Sequence, residues 1–162
     1  MKLEDTIRAL YDEGVEFILI GGAAMGLQGS AHVTKDIDIC YDRTPSNIGR
    51  LAKALRPFHP VLRNAPANLP FALDAATITA GLNFTLSTSL GDLDLLGEVS
   101  GLGTFRDVLA ASEKREVCGV PCKVLSLEGL IKAKTAAGRP RDLYVLPELR
   151  ALAEAKRKTG LE

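Results

Sequence analysis

The chain has 162 residues, 46% hydrophobic and 25% charged, and its 20 basic and 20 acidic side chains cancel. That length and composition describe an ordinary globular chain able to bury a substantial core, and the absent net charge argues against broad binding to a nucleic-acid backbone. No basic segment followed by an apolar stretch and no run of about 18 apolar residues occurs, so neither a signal peptide nor a membrane span is expected, and a cytoplasmic location is. Residues 2 to 13 read as an amphipathic helix with Leu3, Ile7, Leu10 and Tyr11 on one stripe, stopped by Gly14. A strand over 16 to 20 ends in Gly21-Gly22, and a small-residue helix follows over 22 to 28. Next come a strand over 35 to 41 and a helix over 45 to 56, opened by Thr44 as cap and Pro45 in its first turn. Pro57, Pro60, Pro66 and Pro70 mark 57 to 76 as a loop, expected to act as a lid. Strands over 77 to 80, 82 to 88 and 92 to 97 continue the sheet, with Gly91-Asp92 read as a hairpin turn. A glycine-rich turn over 97 to 103 leads to a short helix over 104 to 111 and a strand over 120 to 125, where Pro121 argues for a sheet edge. Ser126 caps a helix over 127 to 137, and Gly138-Arg139-Pro140 separates it from a helix over 141 to 157. The expected class is α+β: one domain over 1 to 162 with a mixed sheet flanked by helices, a core at about 15 to 125 and a C-terminal helical pair at about 126 to 158.

Asp36-Ile37-Asp38-Ile39 carries the chemistry. Strands avoid Asp, and here two of them share one face of a strand, about 6 to 7 Å apart along the chain. A hard divalent cation such as Mg²⁺ takes such carboxylates together with water and phosphate oxygens. A solvated sheet face would show the same alternation, and the pair alone does not separate the two readings. Upstream, strand, double glycine and helix start form a cradle in which Gly21 and Gly22 allow a phosphate to approach free backbone N–H groups. Leu27-Gln28 stand where a P-loop needs Lys and Ser or Thr, and Ala23 and Leu27 break the dinucleotide-binding glycine pattern. Gly-Gly after a strand is also, by itself, an ordinary tight turn. Asp94, flanked by Leu93 and Leu95 on an alternating strand, offers a third carboxylate, while Asp92 is assigned to the turn.

Gly21-Gly22, thirteen intervening residues and then Asp36-Ile37-Asp38-Ile39 form a constellation that resembles the nucleotidyltransferase superfamily, with its polymerase β-like fold. The segment from Leu125 to Tyr144, with Lys134 and Asp142, resembles the branch related to AbiEii-type toxins of bacterial toxin–antitoxin and antiphage systems. Gly22 replaces a frequent Ser, and His32 stands where relatives often carry Arg. The resemblance implies that Asp36, Asp38 and Asp94 are catalytic ligands of Mg²⁺ or Mn²⁺, with Asp36 and Asp38 shared by two ions. It further implies that Gly21, Gly22, Lys134 and Asp142 bind a nucleoside triphosphate such as ATP. The implied reaction moves an NMP to an RNA, protein or small-molecule acceptor and releases pyrophosphate, with a cognate antitoxin or toxin as a partner. The alternative is a non-catalytic nucleotide-binding or partner-binding protein that keeps the fold. A phosphatase of the haloacid dehalogenase type also uses D-x-D, but nothing in that reading accounts for Gly21-Gly22.

Charge is unevenly placed. From Lys132 to Lys158 eight basic residues face three acidic ones, a net charge of +5, which suits polyphosphate or RNA but also an ordinary solvated helix face. Cys40, Cys118 and Cys122 with only His32 and His59 make a zinc site an unsuitable reading, and reduced thiols the simpler one.

Overall fold

The strand Phe17–Ile20 (β1) is apolar at all four positions and buried at each, which places it inside a sheet with both faces covered. In the computed structural model, which describes residues 2–32 and 34–160, it belongs to a seven-stranded mixed sheet. The other strands are β2 (Asp36–Tyr41), β3 (Val61–Leu62), β4 (Asn83–Thr88), β5 (Gly91–Leu96), β8 (Ser112–Val117) and β9 (Val120–Leu125). Their order is β3-β4-β5-β2-β1-β9-β8, and β6 (Glu98–Val99) and β7 (Gly103–Thr104) form a separate small hairpin. The pair β2/β5 is parallel, whereas β1/β2 and β4/β5 are antiparallel. On β2 and β5 the alternation is clean: Ile37, Ile39, Leu93 and Leu95 enter the core, and the aspartates between them take the other face.

The helices are α1 (Leu3–Asp12), α2 (Gly21–Leu27), α3 (Pro45–Leu55), α4 (Ala75–Ala80), α5 (Phe105–Ala110), α6 (Leu127–Ala137) and α7 (Pro140–Thr159). Asn47 of α3 is fully buried and ties that helix to the sheet, its amide bonding the Glu16 backbone on both sides and the Asp42 carbonyl. The helical pair α6/α7 packs closely and closes over the end of the sheet that carries the aspartates. No helix among the described residues is long and apolar enough to cross a membrane. Cys40, Cys118 and Cys122 are free thiols, and burial pushes Cys40 up to about 12 and Cys122 up to about 11.

Several expectations are corrected. Residues 77 to 80 are helical, not a strand: Asp74 caps α4 by accepting from the Thr77 N–H at 2.8 Å, and Ile78 buries completely. Capping and burial outweigh the β preference of Thr77-Ile78-Thr79. The segment 57 to 76 is not a free lid, because it starts with a 3-10 turn at Arg56–Phe58 and then adds β3 to the sheet edge against β4. Strand β9 is internal, since β8, which the charged run Ser112–Val117 concealed, covers its outer side. Pro121 sits opposite Glu116, beyond the two positions at which β1 pairs with β9, so its missing N–H breaks no β1 bond. The hairpin turns at Ser89-Leu90, between the paired Thr88 and Gly91, which puts Asp92 into the strand.

Candidate functional site

The parallel register of β2 and β5 sets the site. It places Asp36 opposite Asp92 and Asp38 opposite Asp94, so four carboxylates lie on one face of two adjacent strands. Strands lie about 4.8 Å apart, and like charges directly opposite one another repel. Thr85 and Ser87 of β4 continue the same polar face beside Asp94 and Asp92, with the Ser87 hydroxyl donating to Asp92 at 3.3 Å. Burial first, then the Asp94 carboxylate by charge and a shared hydrogen bond, push Asp38 up to about 7; Asp36 adds to this and Lys134 opposes it.

Both glycines are dictated by this packing. Gly21 has φ +61°, and a Cβ there would stand 2.1 Å from Asp38 Oδ2. A Cβ on Gly22 would stand 2.4 Å from Cβ of Thr34, whose hydroxyl donates to the Asp36 carbonyl and accepts from the Asp36 N–H. The double glycine therefore lets α2 begin directly against the carboxylates, with the unbonded N–H groups of its first turn beside them.

The opposite wall is cationic. Lys134, Arg139 and Arg141 line, with Gly22, His32, Thr34, Asp36, Asp38 and Asp94, an open cleft of about 390 Å³. Lys132 points to solvent instead. Asp142 is fully buried and collects Arg139 Nε at 2.6 Å, Arg139 Nη2 at 3.2 Å, the Arg139 N–H at 3.1 Å and Lys134 Nζ at 3.3 Å. Burial pushes the Asp142 carboxyl up, but the bonds from Arg139 and Lys134 outweigh it and hold the pKa below its usual value. Donation to the Asp142 carboxylate, with the Asp142 and Asp38 charges contributing, raises the pKa of Arg139. Asp142 thus forms the floor under Lys134 and Arg139 and caps α7 as well.

The eight basic residues from Lys132 to Lys158 do not form one surface. Arg150, Lys156 and Arg157 line a separate cavity of about 720 Å³ with Glu113, Glu128 and Glu154, and Lys156 bonds Gln28 at 2.7 Å.

Sequence reasoning missed Arg63. Its guanidinium reaches Asp94 at 2.7 Å, Asp92 at 3.4 Å and Asp36 at 3.8 Å. Nothing in the proline-flanked stretch around it signals this; only the pairing of Leu62 with Leu86 brings it to the carboxylates. Arg139 had a signal, the spacing Arg139-x-x-Asp142 of a helix start, at which the Asp142 carboxylate accepts from the Arg139 backbone N–H at 3.1 Å.

Among the described residues no three His, Cys, Asp or Glu side chains converge as a ready metal cage. The donor chemistry nonetheless fits a hard divalent cation: the face offers oxygen donors, burial and then the neighbouring Asp94 carboxylate push Asp38 up to about 7, and a guanidinium already stands among the carboxylates. Asp36, Asp38 and Asp94 are the residues that could hold it.

No protein-family model and no curated protein matches the chain. Solved structures do. A Thermotoga maritima protein provisionally described as a nucleotidyltransferase matches with a TM-score of 0.53 at 16% identity, over 96% of this chain and 91% of that one. ANT(2″)-Ia in complex with adenylyl-2″-tobramycin matches with a TM-score of 0.53 at 13% identity, over 97% of this chain and 95% of that one. At these identities the likeness defines the fold: the chain has the α+β nucleotidyltransferase fold expected from Gly21-Gly22 and the aspartate pair.

Proposed function

We propose that the protein is a metal-dependent nucleotidyltransferase that moves an NMP from a nucleoside triphosphate to a hydroxyl of an acceptor. The observation that carries the reading is the apposition of Asp38 and Asp94, directly opposite in register, beneath Gly21 and across the cleft from Lys134 and Arg139. An acidic floor facing a cationic wall is what a polyphosphate with its counter-ions needs. When bound by Asp36, Asp38 and Asp94, a divalent ion supplies charge neutralisation at the α-phosphate and lowers the pKa of the attacking hydroxyl. Gly21 and Gly22 present backbone N–H groups to the β- and γ-phosphates, and Lys134 adds a positive charge there. The acceptor oxygen forms a bond to the α-phosphorus as the bond to pyrophosphate breaks, and the hydroxyl proton passes to solvent. Asp142 serves the nucleotide through Lys134 and Arg139.

The acceptor class is the finer part of the reading. One neighbour of the same fold is bound to a nucleotidylated small molecule, which supports a small hydroxyl compound; the basic residues at the cleft support RNA, and the likeness of residues 125 to 144 to AbiEii-type proteins supports a protein or RNA target and a cognate antitoxin. A non-catalytic nucleotide binder gains support from one observation, the engagement of Arg63 with three of the four carboxylates. Incubating the purified protein with Mg²⁺, each α-labelled NTP, and total RNA or cell lysate separates these readings. Label transfer that disappears in Asp36→Asn and Asp38→Asn is expected, and wild-type transfer rates in either variant would overturn the assignment.

A further inference from the structure

Arg63 follows the last residue of the two-residue strand β3, and its backbone N–H is tied to the Thr85 carbonyl at 2.9 Å. Its side chain is 17% exposed and spans the outer half of the aspartate face: Nη2 lies 2.7 Å from Asp94 Oδ1 and 2.7 Å from the Leu86 carbonyl, Nε 3.4 Å from Asp92 Oδ2, and Nη1 3.8 Å from Asp36 Oδ2. Its Nε is buried without a hydrogen-bond partner among the described residues, so the contacts to Asp92 and Asp36 act through charge more than through directed bonds. Backbone pairing with β4 already joins β3 to the sheet. Asp36 and Asp94 are two of the three carboxylates read above as ligands, and the register that opposes Asp36 to Asp92 and Asp38 to Asp94 sets like charges against one another, a repulsion that a cation offsets.

We propose that Arg63 is a positioning residue that serves as the internal counter-cation of this face, holding Asp36 and Asp94 when no divalent ion is bound and releasing them when one binds. Arg63 thereby sets the metal affinity of the site. A strand of two residues at the sheet edge is an inexpensive element to shift, and retained contacts to Asp92 and the Leu86 carbonyl give the guanidinium a resting place after release. The inference rests on the reading of Asp36, Asp38 and Asp94 as ligands of a divalent ion, and its test keeps the two apart.

The measurement is Mn²⁺ binding without nucleotide, followed by the electron paramagnetic resonance of the free ion, on the wild type, Arg63→Gln, Arg63→Lys and the double variant Arg63→Gln with Asp38→Asn. Thermal melts with and without Mn²⁺ accompany it. Arg63→Gln is expected to bind about tenfold more tightly than the wild type, to melt lower without metal and to gain more from it, while Arg63→Lys falls between. Asp38→Asn is expected to remove the binding. A merely structural Arg63 would lower the melting temperature without tightening metal. Equal or weaker Mn²⁺ binding in Arg63→Gln, with binding still lost on Asp38→Asn, overturns the role of Arg63 and leaves the metal reading standing. Absence of Mn²⁺ binding from every protein overturns both. Should Arg63→Gln fail to fold without metal, Arg63→Lys decides, and binding no tighter than wild type overturns the proposal.

Discussion

Replacing Asp142 tests whether it acts on the nucleotide or beneath it. Its carboxylate has no exposure and accepts from Arg139 through Nε, Nη2 and the backbone N–H and from Lys134 through Nζ. Hydrogen bonds to charged groups contribute a net of about 1.5 to 3 kcal/mol each, but the Arg139 side chain is 53% exposed and rehydrates when released. Two such bonds near the lower end are therefore lost in Asp142→Ala, and with them the cap that the carboxylate gives the Arg139 N–H at the start of α7. The expected loss is about 3 kcal/mol, a fall in melting temperature of roughly 6 to 12 °C for a chain of this size. Asp142→Asn, which keeps an acceptor oxygen, should lose about half as much. Titration with a non-hydrolysable NTP at fixed Mg²⁺ supplies the second readout. Because Asp142 works through Lys134 and Arg139, affinity should fall in Asp142→Asn, and adding Asp142→Asn to the double variant of Lys134→Ala and Arg139→Ala should cost no more. Unchanged stability together with a loss of affinity that adds fully to that double variant would refute the reasoning, since it would require the carboxylate to meet the nucleotide itself.

Lys134→Ala should weaken NTP binding while Lys132→Ala leaves it at the wild-type value, because Lys134 lines the cleft and Lys132 faces solvent; equal dissociation constants for both variants and the wild type would remove Lys134 from the site. In the metal-free protein the folded state keeps the Asp38 proton up to about pH 7, whereas the unfolded chain releases it near 3.8, so this group's contribution to stability is greatest below about pH 4 and declines as pH rises towards 7. Melts at pH 5 and pH 8 should therefore show a larger stabilisation by Mg²⁺ at pH 8, a difference that Asp38→Asn abolishes. Gly21→Ala places a methyl group 2.1 Å from Asp38 Oδ2 at a φ of +61°, and should cost at least about 1 to 2 kcal/mol from the backbone alone and weaken Mn²⁺ binding, as melts and metal titration would report.

The aspartate face was legible because alternation is local. Ile37, Ile39, Leu93 and Leu95 declare one face of each strand, and whatever stands between them must take the other, so Asp36, Asp38 and Asp94 share a surface once β2 and β5 are neighbours. The same logic required Asp92 to join them, and only the misplaced turn excluded it: the pattern from Phe84 to Leu96 fixes two strands but leaves open where between them the chain reverses. The strand assigned over 77 to 80 failed for a comparable reason, since Thr-Ile-Thr states a β preference that the Asp74 cap and the burial of Ile78 overrule.

Arg63 marks a different boundary. Its neighbours carry no periodicity, its strand is two residues long, and its carboxylate partners Asp36, Asp92 and Asp94 lie far along the chain on β2 and β5, neither of which pairs with β3. Residues whose role depends on a sheet edge closing on a distant strand leave no spacing for a reader to find. Glycines are the intermediate case. Gly21-Gly22 announced a tight approach, and the cradle reading took phosphate as the approaching group, but each glycine is already required by a protein atom: Asp38 Oδ2 for Gly21 and the Thr34 side chain for Gly22. Their absence of side chains first makes room for the carboxylates and the turn that holds Asp36, and any phosphate that binds does so in a cradle the apoprotein has built for its own packing.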